Sequence, residues 1–246
     1  MNTFNYNNIA MDYHNKRKKP WNALAEFLVK VKDKEILLSG LSLDLGCANG
    51  RNFELFNQFS DKIIGIDNSL EFLRIITRIK KSSQHPAKST HKVHIVLADM
   101  RYVPIRSGVI DNVFSIASIH HIQCKETRYD LMLQIKGILH NDGKIILSVW
   151  RRWQKKFRYS FIREKLKNNY SSKRKKNQGD YLYEFGDKIV AWNVPNKNIT
   201  YERFYHFFSR REFKRMLKSF EIIMVKKLGG KTNKDNFFTI ARKREL

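Results

Sequence analysis

The chain has little cysteine and, for its size, little acid. Only Cys47 and Cys124 occur in 246 residues, too few and too far apart for a disulfide framework or a metal-ligand set, so a reducing compartment and no metal centre are expected. No stretch approaches the roughly 20 apolar residues that span a bilayer. The opening residues, MNTFNYNNIAMDYHNKRKKP, lack the apolar core of a secretion signal. A soluble protein of the cytoplasm or nucleus, with no membrane partner, is the expectation. No internal repeat, no phosphate loop of the G-x-x-x-x-G-K-[ST] kind and no G-x-G-x-x-G fingerprint is present. Acids number 23 against 48 lysines and arginines, a net charge of +25. That balance excludes nothing about fold but favours a polyanionic partner. A lysine- and asparagine-rich genome would produce part of the same excess.

What is present is organised around Leu41-Ser42-Leu43-Asp44-Leu45-Gly46-Cys47-Ala48-Asn49-Gly50. An apolar strand ends on an acid and passes into a glycine-containing turn, and a helical pattern follows. Gly46 can adopt backbone angles closed to other residues, and Gly50 admits a close neighbour. In open α/β sheets ligands bind at such carboxyl ends. A plain strand-to-helix turn would look similar.

The same unit recurs. Lys62 to Asp67 is a second apolar strand ending on an acid, and Ser69 can cap the helix after it. Asp67 stands where a carboxylate accepts both hydroxyls of a ribose; the alternative is a turn residue. His94 to Met100 is a third strand carrying Asp99, Asp111 to Ser118 a fourth and Lys144 to Trp150 a fifth, after a turn at 141–143. Helices are expected at 4–14, after Pro20, at 52–59, from Leu70 and at 125–139. Strand-helix units in this order imply a parallel, doubly wound α/β sheet with helices on both faces. At 246 residues this is one domain. Residues 1–35 form a helical cover over the site, and 151–185 a basic insertion after strand five, mobile or helical. Arg151-Arg152-Trp153-Gln154-Lys155-Lys156-Phe157-Arg158-Tyr159 interleaves bases and aromatics, a pattern that suits RNA, whereas Lys173 to Lys176 reads as a solvated charge run. Ser209-Arg210-Arg211-Glu212 is a capping box, and 221–228 and 236–242 close the sheet as a strand pair.

Two levels of resemblance follow. The Leu43-Asp44-Leu45-Gly46-Cys47-Ala48-Asn49-Gly50 stretch resembles the first motif of class I S-adenosylmethionine-dependent methyltransferases, with Ala48 in place of a glycine. Asn7-Asn8-Ile9-Ala10, Arg17-Lys18-Lys19-Pro20-Trp21, Pro104-Ile105-Arg106-Ser107-Gly108, Ser115-Ile116-Ala117-Ser118-Ile119-His120-His121, Gly186 to Trp192 and Arg203-Phe204-Tyr205-His206-Phe207-Phe208 are together similar to the eukaryotic tRNA methyltransferases that esterify 5-carboxymethyluridine at the wobble position. This resemblance covers nearly the whole chain. Ala191, where that family usually has proline, and the basic insertion depart from it.

The resemblance implies a Rossmann-like seven-stranded class I methyltransferase sheet, S-adenosylmethionine as cofactor, the anticodon loop of tRNA as substrate, and a small zinc-binding activator subunit that pairs by strand addition. Asp44, Gly46, Cys47, Gly50, Asp67, Asn68, Asp99, Met100 and Ala117 would bind the cofactor, Asp99 by accepting from the adenine amino group. A carboxylate is ionised at neutral pH and needs positioning more than acid-base help. Arg17, His120, Arg203 and His206 are the candidates to hold it. His120 could equally be a structural histidine, and His121 is expected to face the core. A small-molecule methyltransferase of the same fold and a non-catalytic RNA-binding subunit are the competing readings.

Overall fold

The computed structural model describes residues 4–82, 92–170 and 184–244. Five parallel strands, β1 (Leu41–Leu45), β2 (Lys62–Asp67), β3 (Val93–Leu97), β4 (Ile110–Ile116) and β5 (Leu139–Trp150), are joined by β8 (Phe220–Leu228) and β9 (Asn236–Lys243). The order is β3-β2-β1-β4-β5-β9-β8, with β9 antiparallel to both neighbours. The sequence reverses direction across the sheet at the β1–β4 boundary, where a ligand crevice is expected.

Period-two alternation sends the strands' side chains to two cores. Leu43, Leu45, Val113, Ile145 and Leu147 pack under α5 (Lys125–Ile138) and α7 (Arg210–Met216). Phe114, Ile116, Ile146, Phe238 and Ile240 pack under α2 (Asn22–Lys32), α3 (Phe53–Phe56) and α4 (Leu70–Ser82). Leu24, Phe27, Leu28 and Val31 of α2 recur at helical spacing and are fully buried. They contribute on the order of 6–12 kcal/mol, an upper bound because an unfolded chain already hides part of that area.

Several boundaries differ from the sequence expectation. The N-terminal helix is a 3-10 turn (Tyr6–Ile9) followed by α1 (Ala10–Lys16). Strand β3 stops at Leu97, so Asp99 and Met100 lie in the loop beyond it. The expected turn at 141–143 is absorbed into β5: Ile110 pairs with Leu139 but Asn112 with Lys144, so the intervening residues bulge out of the ladder.

The largest departure is a second sheet. Strands β6 (Asp187–Val194) and β7 (Ile199–His206) pair antiparallel in register from Asp187↔His206 to Val194↔Ile199. The sequence expectation contained neither strand. Part of the basic insertion is α6 (Arg158–Tyr170); residues 171–183, including the Lys173–Lys176 cluster, lie outside the described residues.

Candidate active site

The turn after β1 is built by its backbone. The N–H groups of Gly46 and Cys47 both donate to the Ile66 carbonyl, at 2.8 and 3.0 Å. Gly46 has φ +79°, and a Cβ there would lie 2.5 Å from Ser118 Oγ and 3.0 Å from Met100 Cε. No side chain fits. Two residues on, Ala48 is itself left-handed, with φ +48°. Its N–H donates to Asp67 Oδ2 at 2.9 Å, and the Ser69 N–H donates to Oδ1 at 2.9 Å. Asp67 is thereby fixed at the end of β2. Ser69 Oγ accepts from the Phe72 N–H at 3.3 Å, capping α4, and donates to Asn7 Oδ1 at 2.8 Å. That last bond ties the N-terminal segment to the site.

These loops open on a cavity of about 1340 Å³. Its floor is Gly46, Ala48, Asp67, Asn68, Met100, Ala117 and Ser118; the N-terminal segment covers it with Tyr6, Tyr13 and Arg17, and β6 and β7 wall it with Trp192, Arg203 and Tyr205. Tyr205 stacks on Trp150, ring centroids 4.2 Å apart, and on His120 at 5.1 Å. The Arg203 guanidinium sits between aromatic faces, 4.5 Å from the Trp192 centroid and 5.0 Å from that of Tyr205. Its Nε is buried and has no hydrogen-bond partner among the described residues. Arg17 lies 5.8 Å from the other neighbour, the Trp192 ring, and its carbonyl accepts from Asn49 Nδ2 at 3.0 Å. Lysines 155 and 156 reach the rim. The wall is therefore cationic and aromatic, which suits an anion carrying a flat ring.

The fold brings together Arg17, Gly46, Asp67, Asn68, Asp99, Met100, Ala117, His120 and Arg203 from the expected set. It places the others differently. His206 is fully buried away from the cavity: Nδ1 meets Asp187 Oδ1 at 2.6 Å and Nε2 meets Glu212 Oε1 at 2.8 Å. The reason is strand alternation, which puts Arg203 and Tyr205 on one side of β7 and His206 on the other. Burial opposes its charge, but the two carboxylates outweigh burial and raise its pKa. His206 thus anchors β7 instead of holding substrate. The Cys47 side chain also faces the core, close enough that a Cβ on Gly65 would lie 3.0 Å from its sulfur. Neither Asp44 nor Gly50 lines the cavity. Asp44 lies beneath the turn, 3% exposed, and burial, reinforced by the Asp67 charge, pushes its carboxyl up to about 8 despite Arg51. Burial also raises Asp67, to about 6, against the pull of its N–H bonds.

Asp99 is at the cavity but engaged: Arg101 Nη2 donates to Oδ2 at 2.6 Å and Nε to Oδ1 at 3.1 Å. That fork, with the Arg101 N–H donating to Oδ1 at 2.9 Å, fixes the carboxylate, so an adenine amino group would share it with Arg101. His120 is neutral, its pKa held well below the usual value by burial and then by His121 and Arg203. It can donate or accept a hydrogen bond but supplies no cation. Sequence reasoning missed Arg51, Trp192, Tyr205 and His121, all at the cavity. Trp192, Tyr205 and His121 stood inside segments already singled out, but His121, expected to face the core, instead lines the cavity; for Arg51 only the tertiary fold supplies the signal.

The donor set fits S-adenosylmethionine. The left-handed turn gives an approach without side chains, Asp67 gives a fixed acceptor for ribose hydroxyls, Met100 gives an apolar face for the base, and Arg51 gives a cation for the amino-acid carboxylate. Sheet order, turn and acid define a class I methyltransferase fold. Residues 43–147 match the methyltransferase-domain family, so the chain carries a methyltransferase domain, with S-adenosylmethionine as its cofactor. A Methanosarcina mazei S-adenosylmethionine-dependent methyltransferase shares the fold, with a TM-score of 0.67 and 19% identity over 88% of this chain and 98% of that one.

More particularly, the chain is similar over nearly its whole length to the tRNA (carboxymethyluridine(34)-5-O)-methyltransferase of Schizosaccharomyces pombe, 26% identical across 97% of this chain and 94% of that protein. It is 29% identical over 80% of its length to the enzyme of the same description, ALKBH8, of Macaca fascicularis, of which it spans only 28%.

Proposed function

We propose that the protein transfers a methyl group from S-adenosylmethionine to the carboxylate of 5-carboxymethyluridine at the wobble position of tRNA, forming the methyl ester. The observation that carries this reading is Arg203. A guanidinium clamped between Trp192 and Tyr205, with its Nε buried and unpartnered, calls for an anionic acceptor inside the cavity. The aromatic rings around it suit a base, and the basic rim suits phosphates. Bound cofactor supplies an electrophilic methyl on a sulfonium. An ionised carboxylate would accept that methyl with no proton to give up, so the chemistry asks no acid or base of the protein. The residues need only orient the carboxylate in line and exclude water. Arg203 and Arg17 hold it; His120 stays neutral beside it.

The similarity to tRNA wobble methyltransferases supports the substrate. We infer also a small zinc-binding activator subunit as partner, docking by strand addition at β3, an edge strand of the sheet on which Leu97 is exposed, and residence in the cytoplasm or nucleus. The test uses labelled S-adenosylmethionine and tRNA from cells lacking the wobble ester, with and without the activator. Label that enters tRNA and leaves as methanol in mild alkali supports the reading. Alkali-stable label, or none, refutes it.

A further inference from the structure

His120 and His121 share one 3-10 turn after β4 (Ile119–His121), and both rings reach the cavity. Their centroids are 4.5 Å apart, with ring planes at 65°. Tyr205 lies against both, 5.1 Å from His120 and 4.3 Å from His121.

The backbone fixes a different tautomer for each. The Trp150 N–H donates to His120 Nδ1 at 3.3 Å. A backbone N–H can only donate, so Nδ1 is bare and the ring proton sits on Nε2. His121 Nδ1 lies 3.1 Å from the Phe204 carbonyl oxygen. A carbonyl can only accept, so here the proton sits on Nδ1 and Nε2 is bare. Neither ring takes a second proton near neutral pH. Burial, then the neighbouring His121 and Arg203, depress His120, and burial drives His121 down to about 3. Neither Nε2 has a hydrogen-bond partner among the described residues, and neither is one of the sealed, unpartnered polar atoms. One donor and one acceptor, adjacent and fixed in polarity, are left for a ligand.

Uracil offers the complement on one edge: O4 accepts and N3–H donates. Cytosine offers the reverse, with an exocyclic amine donating and N3 accepting. Resting on the wobble-uridine reading above, we propose that this pair reads the Watson–Crick edge of the target base, His120 Nε2–H donating to O4 and His121 Nε2 accepting from N3–H, and so selects uridine over cytidine. Unstacked bases in RNA loops are commonly read on that edge. The placement agrees with Arg203. The carboxymethyl group leaves C5, beside C4 and its O4, and Arg203 lies on the same Tyr205 ring that touches both histidines. C5 substituent, O4 and N3 then meet Arg203, His120 and His121 in that order.

The test uses the full chain, with and without the activator, and anticodon stem-loop RNAs carrying 5-carboxymethyluridine or 5-carboxymethylcytidine. Binding is measured with S-adenosylhomocysteine present, and methyl transfer with S-adenosylmethionine. The uridine RNA is expected to be favoured roughly 5- to 100-fold, the discrimination of one well-placed bidentate base contact. His121→Gln, whose amide can offer either polarity, is expected to bring that ratio to within about threefold. Equal binding and methylation of both RNAs by the unaltered protein overturns the base-edge proposal and leaves the carboxyl-methyltransferase reading standing. Failure to bind or methylate either RNA overturns both. Side-chain ¹⁵N spectra provide a readout that needs neither turnover nor a folded variant: His120 is expected as the Nε2–H tautomer and His121 as Nδ1–H. A reversed tautomer, or a charged ring near neutral pH, overturns the proposal whatever the activity.

Discussion

Asp44→Asn is expected to stabilise the cofactor-free protein at pH 8 and to do nothing of the kind below pH 4. The carboxyl lies 3% exposed under the glycine turn. Burial and the Asp67 charge raise it from 3.8 to about 8, with Arg51 opposing. An unfolded aspartate releases its proton near 3.8, whereas the folded one keeps it until about 8. Between those values the native state binds more protons, so stability falls as pH rises. At about 1.4 kcal/mol per pH unit the loss across the window is on the order of 5 kcal/mol. Asparagine is isosteric and never ionises, but its amide leaves polar atoms of its own to satisfy, at a cost of about 1–3 kcal/mol. The net gain at pH 8 is a few kcal/mol, which for a chain of this size raises Tm by about 5–10 °C. The assay is thermal unfolding monitored by circular dichroism at pH 3.5, 6 and 8, without cofactor. A variant that melts no higher than the unaltered protein at pH 8, or by the same margin at every pH, would refute the reasoning.

Three further outcomes are expected. If Asp67 accepts the ribose hydroxyls as a carboxylate, its raised pKa of about 6 makes cofactor affinity fall about tenfold per pH unit below that value and level off above it; calorimetric titration across pH 5–8 checks this, and a flat profile counts against the role. Arg203→Ala is expected to lower kcat/KM on tRNA by roughly 10- to 100-fold, the cost of a lost charge-assisted bond, and Arg203→Lys to recover little of it because an ammonium cannot stack in a fork between Trp192 and Tyr205. Ala48→Gly relieves a left-handed backbone costing about 1–2 kcal/mol, partly offset by about 0.5–1 kcal/mol of extra unfolded-state freedom; a rise in Tm of about 1–4 °C is expected, and a drop would show that the turn is not strained there.

The main sheet was legible because each strand is a short apolar run stopping at a turn signal, and two of the first three run directly into an acid, Asp44 and Asp67. The Ser209–Glu212 capping box was equally plain, since both its bonds are local: Ser209 Oγ accepts from the Glu212 N–H at 3.2 Å, and a Glu212 oxygen accepts from the Ser209 N–H at 3.2 Å. The second sheet was not legible. Strands β6 and β7 follow a basic, polar stretch that hides their alternation, and once their register is known Arg203 and His206 fall on opposite faces without further information. The Asp99–Arg101 fork joins residues two apart and was within reach of sequence reasoning. The tautomers of His120 and His121 depend on Trp150 and Phe204, 30 and 83 residues away, and no local pattern encodes them.

Glu212 takes on more than helix capping. Its carboxylate also meets His206 Nε2 at 2.8 Å and accepts from Arg152 Nη2 at 2.7 Å, while Arg152 Nε donates to the Phe207 carbonyl at 3.1 Å. One acidic group thereby sets the start of α7, the foot of β7 and the exit of β5 as a single joint. Arg203 stands three residues up β7 from that joint. Under the proposed carboxyl-methyltransferase reading, the fit of substrate is then governed by leverage: a small tilt at Glu212 swings the Arg203 guanidinium, so a loss of substrate affinity can originate at a residue that does not line the cavity.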